Sequence, residues 1–276
     1  MLDDGSESGL FEIRATSNEQ PATRTTMHLK ELTTYLDAYL QIADFADNSQ
    51  NGLQVQGREE IHRIAAAVDA CQQTIDAAAA ANIDLLLVHH GLFWDKPEKL
   101  VGPHYQRVKK LIEAGLNLYC AHLPLDAHPE VGNNAVLAKK LGFEPVAGFG
   151  QHHGRDIGFI ADAKTAIPQS EFLQRLQDTL GSEVRADFFG AKEIQRLAIV
   201  SGGGAFLLPQ ALAAGVEAYL TGEPSHSRYH FCKENRFNVV YGGHYATETF
   251  GVIALAQHLE AKFNLPYQFL DFPTGL

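Results

Sequence analysis

The sequence contains an internal repeat, and this repeat restricts the possible folds more than any other feature. Residues 63–90 (RIAAAVDACQQTIDAAAAANIDLLLVHH) align without a gap to residues 196–223 (RLAIVSGGGAFLLPQALAAGVEAYLTGE), at a constant offset of 133 positions. Each copy has the pattern of an apolar strand, a turn, a helix rich in Ala or Leu, a stop at Asn or Gly, and a second apolar strand. Two apolar strands joined by a helix are parallel and buried on both faces. The repeat therefore predicts a duplicated α/β fold.

A third apolar strand follows each copy of the repeat, at residues 116–122 (LNLYCAH) and 237–244 (FNVVYGGH). The repeat and these strands together align three pairs of polar residues: His90 with Glu223, His122 with His244, and Asp126 with Glu248. In open α/β sheets, ligands bind beyond the carboxyl ends of the strands. All of these polar residues fall at such ends, so we expect the functional site at that edge of the fold.

The chain divides into an extension and two domains. Residues 1–26 are polar and lack periodicity, which is typical of a mobile extension. Met27 begins an amphipathic helical pattern, so the native chain starts at either Met1 or Met27. We expect two α/β domains. The first is discontinuous, covers 27–130 plus 240–276 and contains most of these strand-end polar residues; the second, duplicated domain covers 131–239.

Composition argues against several classes of protein. The formal net charge is −11, and the basic residues cluster only as the pairs Lys109–Lys110 and Lys139–Lys140, which argues against a nucleic-acid partner. Residues 1–26 show neither the basic nor the apolar region typical of a signal peptide, and no apolar run approaches the ~20 residues of a membrane span. The three cysteines are widely separated, as in proteins of a reducing compartment. We therefore expect a cytoplasmic protein without a membrane partner.

Two adjacent histidines end the apolar strand in the segment LLLVHHGLFW, residues 85–94. Neighbours on a strand point to opposite faces, but Gly91 permits a sharp turn that directs both imidazoles toward one centre or two adjacent ones. For His89 and His90 taken alone, a pair of hydrogen-bonded strand-end histidines explains the sequence equally well. A metal site requires additional ligands.

Residues of metal-binding type follow the other strands as well. His244 and Glu248 are four residues apart and share a face if their segment is helical. For Asp126 alone, a capping or turn role is the competing interpretation. The full set suits zinc, iron, manganese or nickel: His89, His90, Asp126, His244 and Glu248. One catalytic ion rarely takes so many ligands from protein, so we expect two divalent ions that share a bridging carboxylate.

Several motifs resemble one known family. The segments DNSQNGLQV, LLLVHHGLFW, YCAHLPLDAHPEVGNNAVLAKKLG, TGEPSHSRYHF and GGHYATETFGV are similar to proteins described as GTP cyclohydrolase 1 type 2 homologues, or interacting-factor-three-like proteins. The resemblance covers nearly everything after Met27 and is greatest for the shorter bacterial members; the first 26 residues depart from the pattern.

The resemblance implies two intertwined, three-layer α/β domains with mixed, largely parallel sheets. It also implies a toroidal homohexamer and a dinuclear metal site that faces an internal cavity, where a small molecule binds. Carried over by motif, the ligands divide between two ions and a bridge: His90 and Asp126 at one ion, His89 and His244 at the other, and Glu248 between them.

Further polar residues near the strand ends have two interpretations each. In the turn SGGGAF, Gly202, Gly203 and Gly204 either bind an anion through their amides or let a helix pack closely on the strand. We expect His122 to orient a metal ligand rather than to bind a metal itself. Glu223 either acts as a general base near the metals or merely ends a strand.

The remaining histidines and aromatic residues are assigned more simply. We expect Trp94 to pack beneath the cavity rather than to wall it, and Cys120 to lie in the core. His152 and His153 lack carboxylate companions and are expected on the surface. Three residues of EPSHSRYH fit the cavity and the surface equally well: His226, Tyr229 and His230.

This set of residues favours hydrolysis. A pair of divalent ions activates water and polarises an electrophile, so we expect a metal-dependent hydrolase of a small molecule such as a nucleotide or a purine-type ring. The GTP cyclohydrolase activity itself rests only on the resemblance, and a phosphoesterase would fit the same ions. The rival hypothesis is a non-catalytic metal-binding ring that handles metal ions or binds a partner protein. A purely structural site is less favoured, because structural zinc prefers cysteine.

Overall fold

The computed structural model describes residues 26–276, so the predicted extension lies outside the described residues except for its last position. The described part contains these α-helices: α1 Leu29–Tyr39, α2 Gln72–Ala80, α3 Gly102–Ala114, α4 Leu123–Asp126, α5 Asn133–Lys140, α6 Gln169–Leu180, α7 Leu208–Ala213, α8 His226–Glu234, α9 His244–Thr247 and α10 Thr249–Phe263. Short 3₁₀ helices occupy Ile42–Asp44 and Gly204–Leu207.

The strands of the described part are β1 Met27–His28, β2 Gly52–Val55, β3 Glu60–Ile61, β4 Ile64–Asp69, β5 Leu85–His90, β6 Asn117–Cys120, β7 Phe143–His152, β8 Arg155–Pro168, β9 Arg185–Asp187, β10 Glu193–Ile199, β11 Ala218–Thr221, β12 Asn238–Tyr241 and β13 Tyr267–Phe269. None of the helices within residues 26–276 is both long and apolar enough to cross a membrane.

Two mixed sheets form the frame of the molecule. The first has five strands in the order β13-β4-β5-β6-β2, with only β2 antiparallel to its neighbour. The second has six strands in the order β7-β8-β10-β11-β12-β9. Its central strands β10, β11 and β12 are parallel, whereas β7, β8 and β9 add antiparallel pairs at the edges. The predicted α/β fold with mixed sheets is therefore confirmed.

The repeat is visible in the strand register. Ile64 pairs with Leu85 in the first sheet, and Leu197 pairs with Ala218 in the second, so the offset of 133 seen in the sequence is kept in space. Both second strands continue into a third parallel strand that begins at a buried asparagine, Asn117 in β6 and Asn238 in β12.

The two asparagines make the same contacts in the two sheets. The Asn117 amide donates to the carbonyls of Arg58 and Asp84 and accepts from the Gly57 amide. The Asn238 amide donates to the carbonyls of Ala191 and Glu217 and accepts from the Gly190 amide, which are the equivalent positions at the same offset. The duplication therefore extends to the hydrogen bonds that connect the strand ends.

Each sheet is covered on both faces by helices. In β4, Ile64 and Ala66 face α1 and α10, while Ala65 and Ala67 face α2 and α3. The second sheet packs α7 and α8 on one face and α5 and α6 on the other. Burying each leucine of these interfaces contributes roughly 2 kcal/mol, so both three-layer units have substantial cores.

Helices α5 and α10 lie between the two units. The Asn133 side chain at the start of α5 accepts a hydrogen bond of 2.6 Å from the Gly251 amide of α10. The first sheet takes strands from both ends of the described chain, since β13 pairs with β4. We keep the division at residues 130 and 240 as a proposal; β12, at Asn238–Tyr241, spans the second boundary.

Candidate metal centre

The paired histidines are the last residues of β5, and both rings reach the same centre. His89 is fully buried and His90 is partly exposed. The Nδ1 atom of His89 lies 2.9 Å from the carbonyl oxygen of Ala121, and the Nδ1 atom of His90 lies 2.9 Å from a carboxylate oxygen of Asp69. Because these oxygens accept, each Nδ1 donates, and the lone pair of each Nε2 is left for a metal ion.

His122 and His244 are held in the same way. The Nδ1 atom of His122 is 2.9 Å from Asp47, and the Nδ1 atom of His244 is 2.6 Å from Glu223. His244 begins the single-turn helix α9, and its Nε2 lies 3.2 Å from Glu248, four residues further on. The helical spacing predicted from the sequence therefore brings this pair together.

Asp126 ends the single-turn helix α4 and is buried. Its Oδ1 atom accepts hydrogen bonds of 2.9 Å from both Asn133 and Ser201, which fixes the carboxylate. Its Oδ2 atom lies 3.6 Å from the Nε2 of His89. Asp126 thus presents one oxygen to the centre, and the capping role considered above does not describe it.

Glu248 lies between the histidines and is almost fully buried. Its Oε1 atom is 3.5 Å from the Nε2 of His89 and 3.2 Å from that of His244, while its Oε2 atom is 3.3 Å from the Nε2 of His90. The two oxygens of one carboxylate therefore face different imidazoles. This is the arrangement expected of a bridging ligand.

We refer to the six converging residues as the metal cluster: His89, His90, His122, Asp126, His244 and Glu248. Ligand atoms of His89, His90 and His122 lie within 4.8 Å of one another, as do those of His90, His244 and Glu248. The Nε2 of His89 and the Oε2 of Glu248 are buried without a hydrogen-bond partner. Buried polar atoms are rarely left unpaired, so this donor set fits divalent metal ions.

The charges of the metal cluster also favour cations. Burial lowers the pKa of His89, but the carboxylates of Asp126 and Glu248 outweigh burial and raise it overall. The hydrogen bond to Glu248 is the largest cause that raises the pKa of His244 to about 9, and burial opposes it. The pKa of Glu248 is lowered, because the surrounding histidines outweigh its burial. In the absence of metal these rings retain protons, which divalent ions would replace.

His122 and Glu223 occupy positions that the sequence did not resolve. His122, which we expected only to orient a ligand, places its ring 5.0 Å from that of His89, with Asp47 behind it. Glu223 lies behind His244, on the far side of the ring from Glu248. This geometry favours an orienting role for Glu223 over that of a general base.

The glycine turn supports the metal cluster instead of forming an anion site. The Gly202 amide donates to Thr247, and the Gly204 amide donates to Thr221, so two of the three amides are already engaged. A methyl group at Gly202 would overlap the Oε1 atom of Glu248. The geometry therefore favours the close-packing interpretation of Gly202, Gly203 and Gly204 over the anion-binding one.

A cavity of about 330 Å³ opens onto the metal cluster. Trp94 lines it and contacts His122 edge to face at 5.2 Å, so our expectation that Trp94 packs beneath the cavity was wrong. His152 also lines the cavity, 5.3 Å from the ring of Phe206, whereas His153 is exposed in the β7–β8 turn. The surface assignment holds for His153 and was wrong for His152.

The structure also shows where Cys120 and the three EPSHSRYH residues lie. Cys120 is buried in β6, as predicted. Within the described residues, none of the three EPSHSRYH residues lines this cavity: His226, Tyr229 and His230. Tyr229 instead packs edge to face on Phe189 at 5.5 Å.

Two acceptors behind the histidines, Asp47 and Asp69, were not predicted from the sequence. Asp47 lies in DNSQNG, and Asp69 ends β4 beside His90 in the adjacent strand. Asp69 could have been identified from the sequence, because it ends an apolar strand of the same sheet as the paired histidines. Asp47 could not, because its loop is brought to His122 only by the tertiary fold.

Comparison with known proteins agrees with this fold. The profile of the Duf34/NIF3 (NGG1p interacting factor 3) family matches residues 27–274. A Deinococcus radiodurans protein named GTP cyclohydrolase 1 type 2 homolog is 48% identical over 246 residues, which cover 89% of this chain and 94% of that protein.

Two solved structures are also similar. The crystal structure of TTHA1606 from Thermus thermophilus has 45% identity and a TM-score of 0.81, over 91% of this chain and 100% of that one. The protein ybgI, described as of unknown function, has 33% identity and a TM-score of 0.86 over 91% of this chain and 100% of that one. The chain belongs to the Duf34/NIF3 (NGG1p interacting factor 3) family.

Proposed function

We propose that the metal cluster holds two divalent ions and that the protein is a metal-dependent hydrolase of a small molecule. One observation carries this proposal. Each of four imidazoles is tied through Nδ1 to an acceptor outside the cluster, and the cluster contains an unpaired Nε2 and an unpaired carboxylate oxygen. Histidines with an acceptor behind them are typical of metal sites.

The division of the ligands between the ions is part of the proposal. The family resemblance implies His90 with Asp126, and His89 with His244, bridged by Glu248. The distances favour Glu248 as the shared carboxylate, since its oxygens face His90 on one side and His89 and His244 on the other. The ligand atoms of His89, His90 and His122 also lie within 4.8 Å of one another, which supports His122 as a sixth candidate ligand.

Imidazole and carboxylate ligands suit zinc, iron, manganese or nickel. When bound, such ions lower the pKa of water and polarise the electrophile that is to be hydrolysed. The protein's own residues hold the centre in place: Asp47, Asp69 and Glu223 fix the rings, and Asn133 and Ser201 fix Asp126. Apolar walls, which include Leu123 and Val200, limit the water around a bound molecule.

The proposal also includes a class of substrates and an oligomeric state. The name of the Deinococcus radiodurans relative makes GTP one candidate substrate, and we propose other nucleotides and purine-type rings as further candidates. By resemblance we also propose a cytoplasmic homohexamer with the cavity facing its interior. Light scattering of the purified protein tests the assembly independently of activity.

Elemental analysis of the freshly purified protein, followed by turnover assays on nucleotides and phosphoesters, tests the central proposal. Wild type should contain about two divalent ions per chain. Glu248→Ala should lose both metal and turnover, because the shared carboxylate is removed. Glu260→Ala, in the exposed part of α10, is the matched control and should retain both.

The remaining outcomes separate the rival functions. Two ions without turnover on any substrate would contradict the hydrolase and favour a ring that handles metals or binds a partner protein. A Glu248→Ala variant that is active and free of metal would contradict the proposal altogether.

A further inference from the structure

The cavity beside the metal cluster is lined in part by two aromatic side chains that have no role in the proposed hydrolysis. Trp94 follows β5 of the first sheet, and Phe206 lies in the 3₁₀ helix after β10 of the second. Both rings line the same cavity. Phe206 is 47% exposed, which leaves a large apolar side chain uncovered next to the site. Aromatic walls of this kind bind flat apolar faces.

The charged side chains that line the cavity do not favour binding of a polyphosphate. Within residues 26–276, no lysine or arginine lines it, whereas Asp47, Asp126 and Glu248 do. The Gly202 and Gly204 amides are engaged by threonines. Metal ions would attract one anionic group, but among residues 26–276 the lining offers no lysine or arginine to hold a chain of phosphates.

The rim of the cavity carries two polar side chains with free hydrogen-bonding capacity. Within residues 26–276, neither the side chain of Asn48 nor the ring of His152 has a hydrogen-bond partner, and both residues line the cavity. The His152 ring contacts Phe206 at 5.3 Å, so a polar group adjoins an aromatic face. An amide and an imidazole can recognise the edge of a nitrogen heterocycle whose face lies on an aromatic ring.

We propose that the molecule admitted to this cavity is a flat nitrogen heterocycle without a polyphosphate chain, with its face on Trp94 and Phe206 and its edge on Asn48 and His152. This inference rests on the proposed metal centre and narrows its substrate class. A nucleoside triphosphate is excluded as the preferred ligand, and a base, or a nucleoside with at most one anionic group, is favoured.

The sequence supplies a reporter for this test, because Trp94 is its single tryptophan. Fluorescence titrations of the metal-loaded protein would use purine, guanosine, GTP and inorganic triphosphate as probes. Purine and guanosine should quench Trp94 saturably, and GTP should bind no more tightly than guanosine. Inorganic triphosphate that binds more tightly than purine would overturn the inference.

Two variants keep the test independent of folding. Phe206→Ala removes an exposed ring and should weaken purine binding roughly ten-fold, as expected for the loss of one base–aromatic contact. His152→Ala should weaken it as well. Tyr105→Ala removes a similarly exposed ring (44%) outside the cavity and should leave binding unchanged. Unchanged purine binding in Phe206→Ala, or a change only in its oligomeric mass by light scattering, would contradict the inference.

Elemental analysis of the same samples separates this inference from the proposed function. Samples that contain both ions and do not bind purine contradict the inference alone. Samples that bind purine with the expected Phe206 dependence, but turn nothing over, support the inference and contradict the hydrolase.

Discussion

Each histidine of the metal cluster is oriented by an acceptor behind its ring, and three of these acceptors are carboxylates. Asp47 is buried, whereas Asp69 and Glu223 are partly exposed and therefore suit conservative substitution. Asp69→Asn and Glu223→Gln keep the size of the side chain but remove the charge that holds His90 and His244. We expect each change to weaken zinc binding about 10- to 100-fold, which is typical for the loss of such a partner. Competition with a chromophoric chelator measures this affinity.

Glu113→Gln provides the control for that experiment. Glu113 forms only an exposed i,i+4 contact with Lys109, 60% of its side chain is accessible, and its substitution should not alter zinc binding. If Glu223→Gln bound zinc normally but lost turnover, the orienting role would be wrong and Glu223 would be a general base.

The roles of single residues could be predicted only where they follow from strand position. The ends of β5 and β12 are visible as the ends of apolar runs, so His89, His90, His244 and Glu248 were identifiable. Which neighbour each of these side chains contacts could not be predicted from the sequence. Glu223 aligns with His90 in the repeat, yet it contacts His244, because two strand ends of the second sheet meet there.

The three cysteines should differ sharply in reactivity. Burial raises the pKa of Cys120 to about 12 and that of Cys232 to about 11, so both thiols are protonated at pH 8. Since the thiolate is the nucleophile, we expect iodoacetamide to modify Cys71 alone, which is partly exposed. Peptide mass spectrometry after brief native alkylation would show this, and rapid labelling of Cys120 would contradict the buried position of β6.

At the scale of elements, the glycine turn before the 3₁₀ helix should matter for metal binding. Gly202 has a φ of +59°, and a methyl group there would displace Glu248. Gly215 has a φ of +70° with open space around it, so Gly215→Ala incurs the same backbone penalty of about 1–2 kcal/mol without touching the site. We expect both variants to lose stability in urea and only Gly202→Ala to lose metal. Equal metal content in both would show that the turn does not support the metal cluster.

The parallel central strands of the two sheets could be predicted from the sequence, whereas the antiparallel strands at the sheet edges could not. The offset of 133 fixed the strand–helix–strand units and their parallel pairing. The hairpin of β7 and β8 lacks an Asn-Gly or Asp-Gly turn; it turns instead at His153 and Gly154, which have φ values of +47° and +85°. This unrecognised turn hid the direction of His152, which the hairpin directs into the cavity.

The equivalent asparagines of the two sheets give a test of the duplication. Asn117 and Asn238 are fully buried, and each connects the ends of neighbouring strands through its amide. Replacing either with Ala leaves buried backbone groups unpaired, at roughly 1–3 kcal/mol for each group. We expect both variants to be destabilised by similar amounts in urea unfolding, and the double variant to show the sum of the two effects. A large effect at only one position would mean that the two networks are not equivalent.

At the scale of the whole molecule, the metal cluster joins the two sheets. His89 and His90 end a strand of the first sheet, and His244 and Glu248 follow the last central strand of the second. Asp126 is held by Ser201, which follows β10 of the second sheet. Ions bound there interact with the folded arrangement of both units and not with either strand end alone. Metal binding should therefore stabilise the fold as a whole.

Ligand linkage gives the size of this effect. Free metal at 100 times its dissociation constant adds about 2.7 kcal/mol per site, which corresponds to a rise in Tm of at least about 5 °C for a chain of this size. We expect treatment with a chelator to lower Tm by this amount, and added zinc to restore it. The Tm of Glu248→Ala should change neither with the chelator nor with added zinc, because this variant does not hold the ions. The Tm of Glu260→Ala should respond to both as that of wild type does. Equal Tm values for chelated and metal-loaded wild type would show that the ions do not join the two sheets.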